Sequence, residues 1–93
     1  MHNIRKPIQR ISRYFVYILK CKNGTYYTGY TNNLEKRIEL HNSGDGAKYT
    51  RGKGPVDLVY FKKYKTKESA MREEIRIKSK RREEKEELIA EEQ

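Results

Sequence analysis

Tyr14-Phe15-Val16-Tyr17-Ile18-Leu19-Lys20-Cys21 is followed, after Lys22-Asn23-Gly24, by Thr25-Tyr26-Tyr27-Thr28-Gly29-Tyr30-Thr31. The first block is dense in β-branched and aromatic side chains and reads as a buried strand. The second, rich in Tyr and Thr, reads as its hairpin partner, with Asn23-Gly24 turning the chain back. Two registers are open. A two-residue Asn23-Gly24 loop pairs Lys22 with Thr25 and sends Tyr17 and Tyr27 to opposite faces. A three-residue loop, with Gly24 left-handed in a G1 bulge, pairs Cys21 with Thr25 and puts Tyr17 opposite Gly29 and Leu19 opposite Tyr27. Both phenols then share a face, which any cooperation between them requires.

Beyond the hairpin, Thr31, Asn32 or Asn33 can cap a helix running to about Asn42, with Glu35 in its first turn and Gly44 ending it. Its i, i+3, i+4, i+7 face carries Leu34, Arg37, Ile38 and His41, and we expect Arg37 and His41 to emerge beside the two apolar residues. Ser43–Pro55 is a Gly-punctuated basic loop, and Val56–Tyr64 is a third strand. Thr66 caps a helix over Lys67–Lys80 whose inner face reads Ala70, Met71, Glu74 and Ile77. Arg82–Glu91 is a charged last helix anchored by Leu88 and Ile89. The expected fold is α+β, a small three-stranded antiparallel sheet flanked by helices in the order β-β-α-β-α-α.

Ninety-three residues allow a single core, and eight Tyr and two Phe favour a folded chain despite 38% charged residues. A net charge of +9 points to a polyanionic partner, nucleic acid first. The charge is uneven: Arg5, Lys6, Arg10 and Arg13 make residues 1–13 a basic arm, whereas six glutamates make the last helix and its end acidic. The single cysteine, Cys21, excludes an internal disulfide and a cysteine metal site. No apolar run has the length of a membrane span and no secretory leader is evident, so a cytoplasmic protein is expected.

Two tyrosines, Arg37, His41 and the inward carboxylate Glu74 in a basic chain suggest work on a phosphodiester. That hydrolysis needs an activated water, positive charge on the transferring phosphate and help for the leaving oxygen. Glu74 can hold Mg²⁺ or Mn²⁺, since such a site often uses one or two carboxylates and fills the rest with water and phosphate. Arg37 offers a planar guanidinium to a non-bridging oxygen. An ordinary phenol is a poor base near neutral pH, so Tyr17 or Tyr27 needs a neighbouring cation to serve as one. Lys48, Tyr49, Thr50, Arg51 and Lys53 in the basic loop suit phosphate contacts and base stacking. Plainer readings stand beside these: core tyrosines, a solvated glutamate, a histidine favouring the helix dipole and a flexible loop.

Phe15-Val16-Tyr17, Tyr27-Thr28-Gly29, Asn33-Leu34-Glu35-Lys36-Arg37 and Ala70-x-x-x-Glu74, in this order and spacing, resemble the GIY-YIG nuclease domain. Its short stand-alone bacterial branch is the nearest likeness, and there Gly46-Ala47-Lys48-Tyr49-Thr50-Arg51-Gly52 is similar too. The resemblance, over roughly residues 14–89, implies a divalent-cation-dependent endonuclease that nicks DNA, structure-selectively or in DNA repair, as in homing endonucleases and the excision-repair incision nuclease. It implies Tyr17, Tyr27, Arg37 and His41 as catalytic residues, one tyrosine as general base, and Glu74 as metal ligand. Larger members end the domain on a supporting asparagine, where this chain has Lys80-Arg81-Arg82-Glu83-Glu84. They also gain affinity from separate DNA-binding domains, so a protein partner supplying specificity is expected here. The rival readings are a nucleic-acid-binding module without turnover and an adaptor presenting its helices to a protein.

Overall fold

A computed structural model describes residues 13–43 and 55–91. Strands β1 (Tyr14–Cys21) and β2 (Tyr26–Thr31) form the hairpin, followed by helix α1 (Leu34–Ser43), strand β3 (Val56–Tyr64), and helices α2 (Lys67–Lys78) and α3 (Arg82–Glu91). The sheet is antiparallel in the order β2-β1-β3, and the α+β fold runs β-β-α-β-α-α as expected.

The hairpin takes the three-residue loop. Gly24 has φ +89°, Gly24 N–H donates to Cys21 C=O at 2.8 Å, and Cys21 N–H donates to Thr25 C=O at 2.8 Å. That left-handed residue costs glycine nothing and absorbs the odd position. Tyr17 therefore pairs with Gly29 and Leu19 with Tyr27, so both tyrosines leave the same face. A second irregularity lies between β1 and β3: Ile18 pairs with Tyr60 and Leu19 with Leu58, leaving Val59 as the extra residue.

Each face of the sheet has its own core. Val16, Ile18 and Tyr60 pack with Ala70 and Ile77 of α2, joined by Leu88 and Ile89 of α3. Tyr17, Leu19, Cys21 and Val56 pack with Leu34 and Ile38 of α1. Burying such side chains is worth about 1.5–3 kcal/mol each, enough to hold helices whose own propensity is marginal. Asn33 caps α1, its Oδ1 accepting from Lys36 N–H at 3.1 Å. Asn42 Oδ1 accepts from Val56 N–H at 2.8 Å, tying the end of α1 to the start of β3. Thr66 caps α2 through Ser69 N–H, as its sequence position predicts.

Two expectations need correction. Met71 does not belong to the inner face of α2 but is 38% exposed, because Ala70 and Ile77 are the residues turned to the sheet. The helix also stops at Lys78, where Ser79 N–H bonds back to Ile75 C=O, rather than running to Lys80. No helix among the described residues is long and apolar enough to cross a membrane.

Candidate active site

β2 is an edge strand, and along it a depression of about 480 Å³ is lined by Tyr17, Tyr27, Arg37 and Glu74, together with Gly29 and Lys67. The hairpin register supplies the two phenols, α1 supplies Arg37, and α2 supplies Glu74 from the opposite layer. Tyr14 and Tyr30, which the sequence marks only as strand residues, line it as well.

Gly29 makes the convergence possible. A Cβ there would lie 2.6 Å from Tyr17 Oη, 2.9 Å from its Cζ and 3.1 Å from Tyr27 Cε2. Both rings thus lie against bare backbone, a known use of glycine inside a strand. The Tyr27-Thr28-Gly29 motif contained this residue, but only the tertiary contact gives it a role.

His41 does not emerge at the surface as the helix face suggested; it is the buried residue of α1, 1% exposed. Its ring centroid is 5.1 Å from that of Tyr27 and 6.1 Å from that of Tyr17, and Nε2 lies 3.3 Å from Tyr17 Oη. The two phenol rings are 6.3 Å apart, closing a three-ring cluster. Burial holds the imidazole below its ordinary pKa, and the Arg37 charge pushes it further down. Burial likewise raises the Tyr17 phenol well above its ordinary value, Tyr27 adding to the rise while Arg37 opposes it. The Tyr17–His41 pair is therefore neutral at physiological pH.

Arg37 and Lys67 each lack a carboxylate within 4 Å among the described residues, leaving two uncompensated cations at the depression. Positive charge without internal partners suits an anionic ligand. The Glu74 side chain is 16% exposed, and Oε2 is 3.3 Å from Lys78 Nζ. No group of three or more His, Cys, Asp or Glu residues forms a ready cage among the described residues. A lone carboxylate at an open, oxygen-lined depression fits a hard cation that keeps most of its water shell, such as Mg²⁺ or Mn²⁺.

Tyr17, Tyr27, Arg37 and Glu74 are thus brought to one place, with His41 behind the tyrosines. Lys48, Tyr49, Thr50, Arg51 and Lys53 lie outside the described residues. Lys67 was missed because it opens α2 as one of four exposed lysines, with Lys62, Lys63 and Lys65, and no periodicity marks it from the others as part of a site.

The profile of the GIY-YIG catalytic domain matches residues 13–87. A UPF0213 protein of Oceanobacillus iheyensis is 54% identical over 77 residues, covering 83% of this chain and 90% of the relative. One of Clostridium perfringens is 58% identical over 76 residues, 82% of each chain. The solution NMR structure of a UPF0213 protein from Bacillus halodurans superposes with a TM-score of 0.56 at 50% identity, over 84% of this chain and 83% of that one. That of a protein from E. faecalis superposes at 0.59 with 38% identity, over the same shares. The profile and the relatives make one assignment: the chain belongs to the GIY-YIG catalytic domain family, alongside the short UPF0213 proteins.

Proposed function

We propose that the chain is a divalent-cation-dependent phosphodiesterase that nicks DNA. The observation that carries this reading is the meeting of Arg37, without an ion-pair partner among the described residues, with a carboxylate and two phenols in one depression on a basic domain. Residues 14–91 form the nuclease domain in this reading, with residues 1–13 a basic arm. In this reading Lys48, Tyr49, Thr50, Arg51 and Lys53 add contacts to the nucleic acid.

Hydrolysis forms a bond from a water oxygen to phosphorus and breaks the bond from phosphorus to one sugar oxygen. The proton the water loses is balanced by the one the leaving oxygen gains. Arg37 takes the non-bridging oxygens in its planar fork, neutralising charge that grows toward the transition state. Tyr17 keeps its proton and we assign it as the hydrogen-bond donor to Nε2 of neutral His41, the tautomer with its proton on Nδ1, a contact that fixes the ring pair. Tyr27, half-buried at the depression, is the phenol we assign to the attacking water, whose hydrogen bond it accepts. Glu74 is the residue that would hold the cation, which when bound supplies Lewis-acid charge at the phosphate. Lys67 holds the substrate backbone beside it.

The test is to incubate the full chain with supercoiled plasmid, branched DNA and RNA in Mg²⁺ or Mn²⁺, with and without chelator. Nicking of DNA that stops on chelation supports the proposal. Tight binding without any cleavage would move the protein to the rival reading of a binding module, and cleavage of RNA alone would change the substrate class.

A further inference from the structure

A second cavity, of about 310 Å³, adjoins the depression at Tyr27, which lines both; its other walls are Tyr26, Thr28, Lys78 and Lys85. Its two cations come from different helices. Lys85 stands in an acid-rich stretch, Glu83-Glu84-Lys85-Glu86-Glu87, that by charge alone should avoid a polyanion. Yet Lys85 shares a helix face with Leu88 and Ile89, three and four residues on, and both of these pack on the core. It is thereby turned to the sheet edge, while Glu83 and Glu87 are exposed and Glu86, which accepts from the Tyr26 hydroxyl at 3.5 Å, is held by Arg82 at 3.1 Å. No carboxylate pairs with its ammonium among the described residues.

Thr28 adds an independent observation. It is 3% exposed, and its Oγ1 is a buried side-chain polar atom without a partner among the described residues. Such atoms are normally satisfied by a water or a ligand. The Cys21–Thr25 bond also sets the phase of the ladder, so that Tyr26, Thr28 and Tyr30 present their backbone groups to the outer edge of β2. Lys78 of the second cavity lies 3.3 Å from Glu74, which lines the first.

Two lysines, a hydroxyl and two aromatic walls suit a phosphate with a nucleoside attached far better than an apolar ligand. We propose that this cavity is a subsite for a flanking phosphate of the DNA strand whose scissile phosphate lies at Arg37 and Glu74. The inference rests on the nuclease reading and extends it: the strand follows the β2 edge, and the acidic last helix contributes one inward lysine to its track.

The experiment measures fluorescence anisotropy of a labelled single-stranded oligodeoxynucleotide with the full chain, in chelator, across a salt series. Lys85→Ala is compared with Lys63→Ala, which removes the same charge from β3 at the opposite edge of the sheet. Lys85→Ala should weaken binding about tenfold, the scale of one charge-assisted hydrogen bond. It should also lower the log–log salt slope by roughly 0.7 per lost single-strand phosphate contact. Lys63→Ala should change both little. Equal effects of the two variants, in a wild type that binds and nicks, overturn the subsite alone. A wild type that nicks plasmid but binds no oligonucleotide overturns the subsite alone, and one that neither binds nor nicks overturns the subsite and the nuclease reading together.

Discussion

Tyr17 Oη lies 2.6 Å from where a Cβ on Gly29 would sit, so the phenol fills a space that only glycine leaves open. Gly29→Ala must therefore displace the ring or the strand. We expect a loss of about 1–3 kcal/mol, the usual cost of overpacking a core, and a loss of nicking at temperatures where the variant is folded. Tyr17→Phe removes the closest atom but leaves Cζ at 2.9 Å, so the Gly29→Ala cost should shrink in that background without vanishing. A double-mutant cycle in urea measures this coupling. Purely additive effects would show that the contact does not govern the site.

Glu74→Gln should abolish nicking while leaving the fold nearly unchanged. Its ion pair is with a lysine whose side chain is 53% exposed, and such pairs contribute about 0–1 kcal/mol. A Gln variant that nicks at the wild-type rate removes Glu74 from the chemistry.

These residues differ in how far the sequence reveals them. Ala70, Glu74 and Ile77 follow from helical spacing, because α2 packs on the sheet through small and branched residues. Met71, one position on, is exposed: adjacent residues on a helix do not share a face. The phase of Tyr17 and Tyr27 stayed open between two turns, since Asn23-Gly24 permits a left-handed glycine in either loop length; the Gly24 φ of +89° decides it. His41 sits on the face its spacing assigns, but its depth depends on how closely α1 settles over the tyrosine rings. Lys85 shares the helix face of Leu88 and Ile89, a spacing the sequence carries, but that this face meets the sheet edge, and that Lys67 does so too, depends on the packing of α2 and α3.

His41 gives a pH signature. Its pKa in the folded chain is lowered by burial and by Arg37, so the unfolded chain takes up its proton first as pH falls. The associated stability is fully present above the ordinary imidazole value of about 6.5 and is lost as pH falls through the lower folded value. His41→Gln should therefore lose less stability than wild type between about pH 7 and 5. Urea midpoints across that range check this, and parallel curves would mean that the imidazole does not titrate differently in the two states.

Arg37→Lys separates charge from geometry. The lysine keeps the positive charge but loses the planar fork that matches two phosphate oxygens. Nicking should fall by about 10²-fold, the scale of losing one transition-state donor. Oligonucleotide affinity should change far less. Single-turnover rates beside anisotropy resolve the two, and a variant impaired equally in both would make Arg37 a binding residue only.

Gly24 offers the cleanest test of the turn. A Cβ there meets nothing within 4 Å, so any cost of Gly24→Ala comes from the φ of +89° and not from a clash. That cost should be about 1 kcal/mol, or roughly 4–8 °C in Tm for a domain of this size. Gly24→Asn should cost less, since asparagine visits the left-handed region more readily. Both variants should nick at the wild-type rate well below their Tm, because the three-residue loop still holds Tyr17 against Gly29. A folded Gly24→Ala chain without activity would instead show that the hairpin had slipped by one residue, turning Tyr27 to the other face. Thermal melts paired with plasmid nicking tell these outcomes apart.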